Sequence, residues 1–253
     1  MSGMPADYWT QLPLGRGVEL LARDANGLAA FNKPAGVLSH PNERADEPRA
    51  LLTVPYVIEG EFFQWQQAGS PEPQRLWLLN RLDSATSGVI LAADSEALAN
   101  EIRAQFKRKS VRKVYHALVF GAPHQPMELW RDRLAVEKRA GQIRTATTGN
   151  VPAECRMTVV RMGHQQPRLT LLRLEPRTGR SHQLRVQCAK RGVPIVGDQT
   201  YGDFRRNREF AKTAGTKRMF LHSLETAFDY EFRGGRHSFH ATAPLPQEFE
   251  KYL

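Results

Sequence analysis

The chain has 253 residues, 41% of them hydrophobic, which suffices for a core in one large domain or two small ones. It carries 36 Lys and Arg against 26 Asp and Glu, a formal net charge of +10, and two cysteines, Cys155 and Cys188, neither in a CxxC pair. The absence of a long apolar run and of a cysteine framework excludes a membrane-spanning helix and a structural zinc finger, and suits a reducing, cytoplasmic setting and a polyanionic partner.

The first residues, MSGMPADYWTQLPLG, lack a basic segment followed by an apolar one, so no signal peptide is expected. Val18 to Phe31 reads as two strands around the turn Asp24-Ala25-Asn26-Gly27. NKPAGVLSHP, residues 32–41, is a loop punctuated by proline and glycine, and the polar stretch 60–75 reads as a surface excursion. A buried strand, Val89 to Ala93, precedes a helix capped by Asp94 or Ser95, with Leu98, Ile102 and Phe106 on one face. Alternation over Val114–Phe120 predicts a strand ending at Gly121. Residues 122–153 are polar and turn-rich, with a hairpin expected near Gly141. PRLTLLRLEPR is a further strand. The next helix has Ser181 as its expected N-cap, an apolar face of Leu184, Cys188 and Ala189, and Gly192 at its end. VPIVGDQTYG is a loop, and MFLHSLETAFDYEF a strand or hairpin. No regular βαβ rhythm runs through these elements, so the fold class is α+β with a mixed, mostly antiparallel sheet.

The basic excess is clustered. One group is Arg103, Lys107, Arg108, Lys109, Arg112 and Lys113; the other is Arg205, Arg206, Arg208, Lys212, Lys217 and Arg218. Such patches give a salt-dependent affinity for phosphate backbones and favour nucleic acid over an anionic membrane surface. Nucleotide-binding and hydrolase fingerprints are absent, and His237 and His240 in HSFH lack the companions of a metal site. In LNRLDSATSGVILAA, Asp83 stands between Arg81 and a run of small turn residues before an apolar strand. Alone, that stretch fits a turn-capping carboxylate as well as a catalytic one.

Four segments settle the choice together: NKPAGVLSHP, NRLDSATSGVILAA, KVYHALVFG and EPRTGRSHQLRVQCAKRGVPIVGDQTYG. In this order, and with the closing HATAPLP, they resemble the RluA-type family of RNA pseudouridine synthases. The resemblance implies a single catalytic domain with a core over about residues 15–247, and because that core begins almost at once no N-terminal S4-like domain is expected. It implies that a uridine in structured RNA, ribosomal or transfer, is detached from its ribose, rotated and rejoined through carbon, without cofactor or metal; a monomer is expected. Asp83 matches the family's catalytic aspartate, which acts at C1′ of the ribose. Arg180 matches the guanidinium that orients it, and Tyr115 the tyrosine that stacks on the uracil or assists proton transfer. The target base must be flipped out, and Arg81 would fill the gap it leaves or meet a phosphate. Lys33, Arg108 and Lys109 would position the RNA backbone. His182 is placed among the substrate-binding residues, the alternative being a helix-terminal residue bonded to the backbone. Where the family usually has His before the RLD, this chain has Asn80.

Two other classes fit the charge pattern: a non-catalytic RNA-binding protein on the same scaffold, and a metal-dependent hydrolase acting through His182. Retention of Asp83, Tyr115 and Arg180 together argues against the first, and activity that survives a strong chelator would argue against the second.

Overall fold

The computed structural model describes residues 6–67, 70–139 and 142–253. They form two compact units, Met1–Val111 with Glu225–Ala243, and Arg112–Leu224 with Pro244–Leu253.

The first unit contains α1 (Ala6–Thr10), β1 (Glu19–Arg23), β2 (Leu28–Lys33), β3 (Tyr56–Val57), β4 (Phe62–Trp65), β5 (Gln74–Leu78), β6 (Ser87–Ala93) and α2 (Glu96–Arg108). Antiparallel pairing runs β1–β2–β6–β5–β4–β3. β6 is flanked on both edges and buried at every residue, which explains its unbroken apolar run. Leu98, Ala99 and Ile102 of α2 pack with Leu28, Ala30, Val89 and Leu91. In the β1–β2 turn, Asp24 Oδ1 accepts the N–H groups of Asn26 and Leu28 at 2.9 and 3.0 Å. Gly27 there has φ of +94°, and a Cβ on it would overlap the Asp94 carboxylate, so glycine is required.

Two expectations change in this unit. The stretch 60–75 is no excursion: β4 lies within it and buries Phe63 against Leu76, a pairing hidden by the interleaved glutamines. Ser95 occupies the N-cap position of α2, but its side chain makes no capping hydrogen bond.

The second unit contains β7 (Arg112–Phe120), β8 (Met127–Arg139), β9 (Gln142–Met162), β10 (Leu169–Pro176), α3 (Gln183–Lys190), α4 (Phe204–Ala214) and the first residues of β11 (Leu221–Phe232). The antiparallel order is β7–β10–β9–β8. β8 and β9 form the expected hairpin, whose tip at Gly141 lies outside the described residues. Leu118, Phe120, Leu169, Leu171, Val196, Phe210, Phe220 and Phe249 form its core. The later residues of β11 belong to the first unit, where they pair with β12 (Gly235–Thr242). α4 escapes the sequence reading because its arginines and lysine obscure the buried positions Asn207 and Phe210. No helix among the described residues is long and apolar enough to cross a membrane.

Candidate active site

Asp83 sits half-buried in the turn that feeds β6. The main chain closes this turn, Thr86 N–H donating to the Asp83 carbonyl at 2.9 Å. Lys33, at the end of β2, is fully buried, and its ammonium donates to the carbonyls of Pro34, Val37 and Ser84 at 3.0, 2.6 and 3.1 Å. Gly36 N–H also donates to Ser84 O, at 2.7 Å. Ser39 completes the lacing: its hydroxyl donates to Leu82 O at 2.7 Å and accepts Leu82 N–H at 2.9 Å. The NKPAGVLSHP loop and the RLDSATSG turn are thus one hydrogen-bonded body around Asp83. An ammonium enclosed by three carbonyls is not presented to RNA, so the expectation that Lys33 meets the phosphate backbone gives way to a framing role.

Asn80, which replaces the family's usual His, accepts Leu91 N–H on its Oδ1 at 2.8 Å and so extends the β6 ladder toward the turn. Arg81 is exposed, its guanidinium 3.8 Å from Glu61 Oε1. Glu61 in turn holds Arg103 at 3.3 Å.

Tyr115, Arg180 and His182 belong to the second unit. Tyr115 lies on β7 opposite Leu174 of β10. By strand alternation it shares a face with Lys113, whose ammonium burial holds below the usual lysine range. Lys113 Nζ lies where a Cβ on Gly179 would come within 3.5 Å, so this lysine abuts the TGRSHQ turn. Sequence reading assigned Lys113 only to a surface cluster; the K-x-Y spacing was the available signal for a shared face.

The TGRSHQ turn is closed from within. Thr178 donates to Gln183 Oε1 at 2.7 Å, Arg180 N–H donates to the same oxygen at 3.2 Å, and Gln183 Nε2 donates to Glu154 O at 3.1 Å. The Arg180 side chain is exposed, and its Nε donates to the Pro152 carbonyl at 3.3 Å. Ser181 is not the N-cap of α3. That position is His182, in the left-handed region at φ of +54°. Its Nδ1 lies 2.8 Å from the Tyr201 hydroxyl, which also accepts Thr145 N–H at 2.8 Å. A backbone conformation uncommon for residues other than glycine thus coincides with a specific side-chain partner.

Two carboxylates that sequence reading overlooked anchor α3. Asp198 makes a buried, two-pronged pair with Arg185 at 2.8 and 2.7 Å, and accepts the N–H groups of Thr200 and Tyr201. Burial pushes the Asp198 carboxyl up, but Arg185 and the two N–H donors outweigh it and hold it below the usual range. Asp132 of β8 binds Lys190, Arg191 and Gln187 at 2.7, 3.0 and 2.8 Å. The Q-L-R of the motif and the G-D that follows were the signals for the first pair.

The basic clusters divide. Arg103 is mostly buried and donates to the Leu78 and Glu61 carbonyls, while Lys107, Arg108, Lys109 and Arg112 are exposed. Arg108 is tied to Glu101 at 3.0 Å. In the second cluster Arg206 lies over the Phe120 ring, and Arg218 over Phe220 and Phe249. Arg205, Arg208, Lys212 and Lys217 remain exposed.

A family model described as RNA pseudouridylate synthase matches residues 27–190, a span holding both laced segments and the KVYHAL strand. The chain belongs to that family. It is an RNA pseudouridine synthase, an isomerase, as the resemblance implied. Relatives include a tRNA pseudouridine synthase C of Vibrio cholerae, 33% identical over 214 residues that cover 81% of this chain and 83% of the relative. A ribosomal large subunit pseudouridine synthase C of Vibrio vulnificus is 29% identical over 235 residues, covering 93% and 68%. Among solved structures, human RNA pseudouridylate synthase domain containing 1 matches with a TM-score of 0.68 at 21% identity, covering 91% of this chain and 84% of that one. Human domain containing 4 matches with a TM-score of 0.65 at 22% identity, covering 92% and 91%. At these identities the structural likeness is one of fold, α+β with a mostly antiparallel sheet.

Proposed function

We propose that the enzyme acts on a uridine in a structured ribosomal or transfer RNA, with Asp83 as the carboxylate at C1′ of the target ribose. The observation that carries this reading is the lacing of the Asp83 turn: Lys33, Ser39 and Gly36 tie its backbone through hydrogen bonds, so the carboxylate is presented from a rigid frame. In this scheme the N1–C1′ bond breaks while Asp83 attacks C1′ or stabilises the positive charge forming there. The uracil turns against Tyr115, C5 bonds to C1′, and the C5 hydrogen leaves as a proton while N1 gains one. Arg180 supplies the guanidinium that orients the carboxylate, and Arg81 occupies the gap left by the flipped base. His182, fixed by Tyr201, shapes the substrate side of the TGRSHQ turn. Arg108 and Lys109 take phosphates.

The names of the relatives support both RNA classes as targets. A monomer in the cytoplasm completes the reading, a compartment that suits the free thiols of Cys155 and Cys188. Mapping pseudouridine in total RNA from cells with and without this gene tests it. Loss of one or a few sites in ribosomal or transfer RNA is expected; an unchanged map would contradict it.

A further inference from the structure

The two faces of α4 meet different surroundings. On one, Asn207 and Phe210 are buried. Asn207 Oδ1 accepts Gly197 N–H at 2.8 Å, and its Nδ2 donates to Asp198 O at 2.9 Å. Phe210 meets Phe120, Phe220 and Tyr252 edge-on. A Cβ on Gly202 would come within 2.2 Å of Asp198 O, so the chain enters α4 with no room for a side chain. The helix is thereby locked to Asp198, the same residue that holds Arg185 of α3 and accepts Tyr201 N–H. Whatever α4 displays is rigidly fixed relative to His182.

The other face displays an aromatic ring among cations. Phe204 is 55% exposed, and it is the only aromatic among the large exposed hydrophobics of the described residues. Arg205, with 77% of its side chain exposed, adjoins it in sequence. Arg208 and Lys212, both exposed, continue the stripe at one-turn intervals, a line of about 12 Å from Phe204 to Lys212. The one acidic side chain on this face, Glu209, lies 3.9 Å from Arg205 and leaves the face net positive. The helix N-terminus itself is already occupied, since Asp203 accepts the N–H groups of Arg205 and Arg206.

A lone exposed ring flanked by fixed cations is the composition of a surface that stacks one base and tracks a phosphate backbone. A protein partner would call for a wider apolar patch than one phenylalanine offers. We propose that this face of α4 binds a single-stranded stretch of the RNA substrate, with Phe204 stacking on a base while Arg205, Arg208 and Lys212 take the neighbouring phosphates. The assignment rests on the reading of the enzyme as acting on structured RNA, whose loops expose such strands.

The probe is a fluorescein-labelled oligouridylate of about 12 nucleotides, followed by anisotropy with the full chain. Phe204→Ala should bind it about tenfold more weakly with an unchanged melting curve, because the ring removed is exposed. Phe204→Trp should restore affinity, and the emission it adds over wild type should be quenched by the oligonucleotide. Arg205→Glu with Arg208→Glu should reduce the slope of log affinity against log salt by about 1.4, that is about 0.7 for each phosphate no longer neutralised. Affinity within about twofold of wild type for Phe204→Ala would overturn the proposal. So would unquenched emission from Phe204→Trp, or a changed oligomeric state with RNA binding intact, which would give the face to a second copy of the chain. Pseudouridine formation in total RNA by wild type is measured alongside. Its absence would undo the functional reading, whereas its presence, with oligouridylate binding indifferent to Phe204, would undo only this surface.

Discussion

Replacing Lys33 by Met removes the ammonium from beneath the Asp83 turn while keeping an unbranched stem of similar bulk. Its bonds to Pro34 O, Val37 O and Ser84 O, at 3.0, 2.6 and 3.1 Å, end on carbonyls of different standing. Ser84 O keeps a donor in Gly36 N–H, but Pro34 O and Val37 O lose the ammonium that bonds them. Each of these part-buried carbonyls, if stranded, costs at most about 1–3 kcal/mol, or at most about 2–6 kcal/mol for the two. Against this, the variant no longer buries a charge, which returns several kcal/mol. The two effects are of similar size, so a net change of no more than about 2 kcal/mol is expected, read by urea unfolding at fixed slope. Turnover should fall more than stability explains, because the loosened segment carries Asp83, and a displacement of about 1 Å at a reacting group costs about a hundredfold. Activity and unfolding midpoint both at wild-type values would refute the view that Lys33 frames the site.

Three further outcomes follow from the same geometry. Tyr115→Phe should keep RNA binding and slow turnover, while Tyr115→Leu should harm both; wild-type turnover in the Leu variant would remove Tyr115 from the site. RNA affinity should fall steeply with salt, and charge reversal at Arg108 and Lys109 should weaken binding to all RNAs alike, a loss confined to one sequence being the contrary result. Asp198 titrates below the usual range when folded, so its contribution is fully present above about pH 4 and is lost as pH falls through the folded value. Urea unfolding from pH 6 down to about pH 2 should show this decline, and Asp198→Asn should lower stability at neutral pH by about 3–5 kcal/mol and flatten the acid dependence. A variant with wild-type acid dependence would rule the pair out as a source of acid lability.

The segments that carry the candidate site were legible because each is local in sequence. The turn at Asp83, the β6 strand and the β7 strand announce themselves through small residues and apolar periodicity within a few positions. What stayed hidden depends on partners distant in the chain. Lys33 looks like any lysine until the carbonyl of Ser84, 51 residues on, is seen to accept its hydrogen bond. Asp198 and Asp132 read as loop and strand polar residues, and only the fold brings Arg185, Lys190 and Arg191 to them. The second basic cluster read as one patch, whereas Arg206 and Arg218 are spent on aromatic rings, Arg205, Arg208 and Lys212 line the outer face of α4, and Lys217 lies beyond its end. His182 at the helix start gave no sign of its left-handed backbone or of its side-chain partner Tyr201, 19 residues on.

The most direct measurement is tritium release from RNA labelled at C5 of uridine, by Asp83→Asn protein whose melting curve matches wild type. Asn is nearly isosteric with Asp, and the Thr86 N–H bond that closes the turn ends on the main-chain carbonyl, so the fold should persist. The amide carries no charge and is a very poor nucleophile toward C1′. The account predicts RNA binding close to wild type with no detectable release, and substantial release by the folded variant would contradict it.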